Sequence, residues 1–185
     1  IETSQATVTV NPTTTTTYWV KVTKDGCSKR ASHTVTIPAK SEIVISGKTD
    51  VCVGETFTLI ATLDGASNFY WEGGPNSTSY TTTLNAETSQ TYTVHATDKN
   101  GCKVEKSITV TSYALPVAVI NGETSICKGS GVTLTATGGT SYKWYNGETS
   151  ASIFVTPTAT TTYTVVAYNA QGCPSAEASH TVTVN

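Results

Sequence analysis

Methionine is absent from these 185 residues, histidine occurs three times, and only 13% of positions carry a charge. The formal net charge of −2 gives no electrostatic footprint for nucleic acid or an anionic membrane surface. There is no run of about 18 apolar residues, so no segment reads as membrane-spanning, and no signal peptide stands at the start. The sequence therefore reads as a piece that has been processed or excised. The five cysteines include no CxxC pair and have no histidine at ligand spacing. That pattern favours disulfides over metal, and with them an oxidising extracellular setting; the odd count leaves at least one partner missing.

What is present is threonine, about a fifth of the chain. Its β-branched side chain is stiff at χ1, which suits a pleated, half-exposed surface and penalises helix. The threonines fall within a repeat. Tyr18 to Gly26-Cys27, Tyr92 to Gly101-Cys102 and Tyr163 to Gly172-Cys173 are three versions of one stretch, each passing from a tyrosine through a turn to Gly-Cys.

The second and third units align without a gap through their first twenty residues, from Ile43 and Ala118. Asp50-Val51-Cys52-Val53-Gly54 falls on Ser125-Ile126-Cys127-Lys128-Gly129, and Phe57-Thr58-Leu59-Ile60-Ala61 on Val132-Thr133-Leu134-Thr135-Ala136. The alternation in the second pair marks a strand with one buried face. Each full unit then has one tryptophan, Trp71 or Trp144, a Thr-rich strand at Thr81–Leu84 or Ser152–Val155, a crossover, and the tyrosine-led strand. Asp98-Lys99-Asn100-Gly101 and Asn169-Ala170-Gln171-Gly172 are hairpin turns in which glycine supplies the positive φ. Proline-bearing boundaries at Ile37–Ser41 and Ser112–Pro116 give semi-rigid links. The units are residues 1–41, holding only the C-terminal strands of a repeat, then 42–115 and 116–185. About 40 residues cannot close a sandwich alone, so the first unit needs a missing half from elsewhere in its own chain or from another.

This pattern is an all-β, immunoglobulin-like one: tandem sandwiches in a linear array, with two complete seven-stranded members. The cysteines of an antibody-type core are replaced by Ala61 and Val94, then Ala136 and Val165, with Trp71 and Trp144 expected to be buried against them. Tyr92 and Tyr163 join these cores, and Tyr18, Tyr92 and Tyr163 are expected to act as corner residues whose phenolic oxygens bond the upstream backbone. The cysteines sit instead at the domain ends.

Ile126-Cys127-Lys128-Gly129-x-x-Val132-Thr133-Leu134, Thr160-Thr161-Thr162-Tyr163-Thr164-Val165 and Asn169-x-x-Gly172-Cys173 together resemble the tandem Ig-like repeats of large secreted and cell-surface proteins of Bacteroidota. The resemblance covers the whole chain. It implies export by the type IX route and service as an adhesin, a gliding filament or an accessory module of a polysaccharide-degrading enzyme.

Candidate chemistry is sparse. Ser46-Gly47-Lys48-Thr49 imitates the tail of a phosphate loop, but Glu42 stands where the loop needs its first glycine. His33 and His180 occupy equivalent places in the last strands of their units, and His95 points outward. No nucleophile, base and orienting group can be assembled from these, so no catalytic residue and no enzyme activity is expected. Asp25, Asp98 and Asn100 in F–G turns, with Asp64 near a B–C turn, are too few oxygens for calcium, and Glu55, Glu72 and Glu123 have no matching partners. No metal or cofactor is expected. Trp19, Tyr70 and Tyr145 are the aromatic rings that exposure would make available for stacking on a sugar, against plain surface packing. Asn76-Ser77-Thr78 is a formal glycosylation sequon.

Two disulfide schemes are open. Counting within repeats pairs Cys52 with Cys102 and Cys127 with Cys173, leaving Cys27 alone. Geometry favours a stepwise bridge, Cys52 to Cys173, because the A–B and F–G turns of one Ig-like sandwich lie at opposite ends, over 20 Å apart for strands of about seven residues at ~3.3 Å each. Cys27, Cys102 and Cys127 would then pair beyond this stretch. The function expected is that of a non-enzymatic stalk or filament repeat at the cell surface, whose partners are neighbouring repeats and other copies in a filament. The alternative is a glycan- or protein-binding accessory module of a secreted enzyme.

Overall fold

A computed structural model describes residues 7–185. Its sixteen strands form a hairpin and two sandwiches, with no helix among the described residues.

The hairpin pairs β1 (Thr16–Lys24) with β2 (Cys27–Val35), Tyr18 opposite His33 and Val20 opposite Ala31. Asp25 and Gly26 close it with φ values of 49° and 80°. That is the left-handed pair a two-residue turn requires, and a short polar side chain and a glycine adopt it at least cost. Its side chains are exposed or half-exposed throughout.

The first sandwich contains β3 (Val44–Ser46), β4 (Asp50–Cys52), β5 (Thr56–Thr62), β6 (Ser67–Trp71), β7 (Ser79–Thr83), β8 (Thr88–Thr97) and β9 (Lys103–Tyr113). The second contains β10 (Val119–Asn121), β11 (Ser125–Ile126), β12 (Val132–Thr137), β13 (Ser141–Trp144), β14 (Ser152–Val155), β15 (Thr161–Tyr168) and β16 (Ala178–Val184). Each packs a three-stranded sheet on a four-stranded one: β3-β5-β7 on β4-β9-β8-β6, and β10-β12-β14 on β11-β16-β15-β13. Seven strands in two sheets, with β4 parallel to β9 and β11 parallel to β16, make these Ig-like β-sandwiches.

Alternation decides which side chains meet in the middle. Phe57, Leu59 and Ala61 of β5 face Val94, Ala96, Val104 and Val110 around Trp71. Leu134 and Ala136 of β12 face Val165 and Val182 around Trp144. Trp71 and Trp144 are each 2% exposed, and Tyr92 and Tyr163 are buried beside them. The intervening threonines point outward and pair their hydroxyls across strands: Thr56 with Thr83, Thr58 with Thr81, Thr91 with Thr109, Thr135 with Ser152 and Thr162 with Thr181, at 2.8–3.0 Å.

Three local expectations are corrected. The tyrosine-led strand begins at Thr88, four residues before Tyr92, because the pairing with β9 runs on to Ser112. The phenolic oxygens of Tyr92 and Tyr163 make no hydrogen bond to upstream backbone among the described residues; their rings are spent on edge-on packing, Tyr92 against Phe57 and Tyr80 and Tyr163 against Tyr145. Burial holds both phenols above the ordinary tyrosine range, with a nearby tyrosine adding to it. In the first sandwich Ser112 ties the crossover down: its buried hydroxyl donates to Ala86 O and accepts from Thr88 N at 3.2 Å. Tyr18 lies in the hairpin, where no sandwich surrounds it.

Candidate functional site

One convergence of chemistry-bearing residues lies where one sandwich meets the next. Cys52, at the end of β4, is bonded to Cys173, just past the F–G turn of the second sandwich, with Cα atoms 5.5 Å apart. Cys173 is 1% exposed. Pairing within repeats is thereby overturned, and the register supplies the reason. Cys52 lies opposite Tyr113, the last residue of β9, whereas Cys102 precedes Lys103, its first. An eleven-residue strand separates those ends by roughly 33 Å at ~3.3 Å per residue, against the ~7 Å that a bridge can span. Cys27, Cys102 and Cys127 are free thiols.

The turn that carries Cys52 is held by ionic contacts. Glu55 accepts from Lys48 and, through Oε2, from the Cys52 amide at 3.0 Å. The hydrogen bond from Lys48 and then that from the Cys52 amide hold the Glu55 carboxyl below its usual range. Tyr113 donates to Asp50 Oδ1 at 2.9 Å, which pushes its phenol upward. An open groove of ≈ 510 Å³ runs along the bridge between Lys48, Glu55, Leu115, Gln171 and Pro174.

The F–G turns also grip the chain that enters their own sandwich. Asp98 Oδ1 accepts from the amides of Cys102 (2.8 Å) and Asn100 (2.9 Å), and Oδ2 from the Ser41 amide at 3.4 Å in the preceding link. The Cys102 amide above all, with Asn100 and Ser41, holds the Asp98 carboxyl below its usual range in spite of burial. Asn169 repeats the arrangement, accepting from Cys173 and Gln171 and donating to Ala114 O at 2.9 Å. The turn residues considered as calcium ligands are therefore tied to backbone at Asp98, while Asp25 closes the hairpin and Asp64 borders a shallow groove with Ser41 and Lys99. Among the described residues no three His, Cys, Asp or Glu side chains converge as a metal site would require.

The exposed aromatics lie apart from this junction and from each other's equivalents. Trp19, at 70% exposure, stands on the hairpin. Tyr70 stacks on His95 with ring centroids 4.7 Å apart, and His95 is held by Glu72 at 2.8 Å and Glu105 at 3.4 Å. Glu72 thus has a partner, contrary to expectation, as does Glu55. Tyr145 follows β13 and lies edge-on to Tyr163. Tyr70 aligns with Lys143, and Tyr145 with Glu72, so neither recurs in the other sandwich. His180 bonds Glu123 O at 3.2 Å, His33 lies opposite Tyr18, and Asn76 is exposed between β6 and β7. Gly47 of the phosphate-loop mimic sits in the β3–β4 connection, where a Cβ would come within 2.5 Å of Thr58 O; close packing explains it.

With that geometry in view, the chain can be set beside known proteins. Residues 114–185 match a family of Ig-like domains, the Ig-like domain CHU_C associated. The match covers the second sandwich and the link into it. Among solved structures, the fibronectin(III)-like modules of Clostridium thermocellum CbhA share 13% identity over 77% of this chain and 94% of theirs, with a TM-score of 0.46. Murine CEACAM1b shares 18% identity over 78% of this chain and all of its own, at 0.35. SGBP-B of the Bacteroides ovatus mixed-linkage glucan utilization locus, solved with a mixed-linkage heptasaccharide, shares 17% over 93% of this chain and 53% of its own, at 0.24. No curated protein matches the chain.

Proposed function

We propose that this chain is a length of extracellular stalk: Ig-like units joined in series and stapled to one another, which space and mechanically support a distal module of a bacterial surface adhesin or filament. The observation that carries the reading is the bridge from Cys52 to Cys173, made between sandwiches and not inside either. A bridge within a unit would stabilise that unit, whereas one between units fixes their succession. Contacts confined to neighbours let such a stalk grow by copying units. Cys127, equivalent to Cys52, would make the same step onward, and Cys27 the corresponding step backward.

A stalk leaves its faces free to vary and keeps its ends alike. Trp19, Tyr70 and Tyr145 fall at non-equivalent positions, while the Asx-clamped turns and cysteines recur. Ig-like families are generally non-catalytic, and the disulfide and the family match favour life outside the cell, by the type IX route that the repeat motifs suggest.

Pulling single molecules from their ends tests the reading. The stretch from Cys52 to Cys173, 121 positions apart, is locked out of extension, so the oxidised chain should lengthen by about 400 Å less than the reduced chain, at ~3.4 Å per residue. Equal lengths would overturn it. So would saturable binding to a glycan array through Tyr70 or Trp19, which would make the chain the accessory binding module instead.

A further inference from the structure

Three features that the stalk reading does not use point to one partner. The first is the bare face of the hairpin. Tyr18, Val20 and Val22 are the equivalents of Tyr92, Val94 and Ala96 and of Tyr163, Val165 and Ala167, all buried under a three-stranded sheet. In the hairpin Val20 and Val22 are 56% and 62% exposed. Two strands without a covering layer are marginal in water.

The second is the approach to the hairpin. Thr7–Val10 aligns with Thr81–Leu84 and Ser152–Val155, and Val10 precedes Tyr18 by the same eight residues that separate Leu84 from Tyr92 and Val155 from Tyr163. Leu84 and Val155 pack on their cores. Residues 7–10 have the sequence of such a strand but pair with no other strand among the described residues.

The third is Cys102. It is half-buried and free, and it stands where Cys173 stands in a turn whose aspartate already grips the preceding link. Cys173 is bonded to the A–B end of the unit before it. Continuing that interface one unit back calls for a cysteine on the A–B end of the hairpin's own unit, in a strand that would extend the hairpin's sheet as β4 extends β9, within the same segment whose equivalents of β3 and β5 would cover Val20 and Val22.

We propose that the hairpin is the docking face for a four-strand segment of this same repeat, equivalent to residues 42–74 and carried ahead of Ile1 on the same polypeptide. Its cysteine forms a disulfide with Cys102. The same polypeptide is the source because residues 7–15 have the sequence of the strand and crossover that follow such a segment in both complete sandwiches. In forming the bridge the two thiols lose two protons and two electrons to a disulfide oxidant, which is reduced to two thiols.

The test extends the chain by repeating residues 42–74 directly ahead of Ile1, in a buffer of oxidised and reduced glutathione. The β1 and β2 amides should exchange at least about 100-fold more slowly than in the unextended chain, reaching the protection of β8 and β9. Non-reducing peptide mapping should show Cys102 joined to the added copy of the cysteine. Replacing that added cysteine by serine should abolish the bridge and keep the amide protection, whereas Val20→Asp should abolish the protection. Fast hairpin amides and a free Cys102 in the extended chain would overturn the proposal, as would protection that survives Val20→Asp. Unextended chains that dimerise with protected hairpins would assign the face to a second copy. None of these outcomes depends on the length change that tests the stalk.

Discussion

Cys52 and Cys173 are 121 positions apart in sequence and joined in space, one at the A–B end of a sandwich and the other at the F–G end of the next. Non-reducing peptide mapping should recover these two in one linked peptide pair, and Cys52→Ser should release the second sandwich from the first. In the chain-entropy account a loop of this size stabilises by about 4–5 kcal/mol, so Cys52→Ser should lower the unfolding free energy by up to that amount. Denaturant titration of oxidised wild type and variant measures it.

The two core tryptophans should respond differently to the same substitution. Trp144 Nε1 donates to Ser150 O at 2.8 Å, whereas Trp71 Nε1 is buried with no partner among the described residues. Trp144→Phe loses a hydrogen bond and Trp71→Phe removes an unpaired donor, so the first should cost about 1 kcal/mol more than the second. Alanine at either position should cost about 3–5 kcal/mol. Equal losses for the two phenylalanine variants would contradict the difference in pairing.

Crossover anchoring in the first sandwich belongs to a serine. Ser112→Ala leaves the Thr88 amide and the Ala86 carbonyl without their buried partner and should cost about 1–3 kcal/mol. Tyr92→Phe should change stability by less than about 0.5 kcal/mol, since its hydroxyl holds no backbone group. Thermal unfolding of the two variants reads the contrast directly.

Asp98 gives the first sandwich an acid-sensitive link that the second lacks. Its folded-state pKa lies below the ordinary aspartate range, so its contribution is complete above that range and is lost as pH falls through the depressed value. Asp98→Asn copies the residue at position 169, keeps an acceptor oxygen, and should flatten this part of the acid limb below about pH 5. A melting-temperature series across that window would show it; a variant curve parallel to wild type would contradict it.

Much of the fold was legible because burial in a sandwich imposes a period of two. Phe57-x-Leu59-x-Ala61 and Tyr163-x-Val165-x-Ala167 carry that period unbroken, and the tryptophans mark the centre of each core. The placement of the cysteines at domain ends followed from the same register, which is why a distance argument could weigh one pairing against the other. The side chains that fasten loops were not legible. Ser112, Glu55 and Asn169 act on backbone groups whose position depends on the path of a turn, and no spacing in the sequence records that path. The corner tyrosines show the opposite failure: their position matches the pattern, but neighbouring aromatic rings take up the side chain.

Cys52 and Tyr113 are register partners at the ends of parallel strands β4 and β9. The disulfide leaves from the first and the polypeptide link from the second, about 4.8 Å away. A domain hung from one such point is a swivel, free to spin about its tether. Hung from two adjacent points it is a hinge, free to bend about the line joining them but not to rotate about the long axis. Torque applied to one sandwich is therefore passed to the next, and reducing one bond turns a shaft that transmits rotation into a loose chain that only transmits tension.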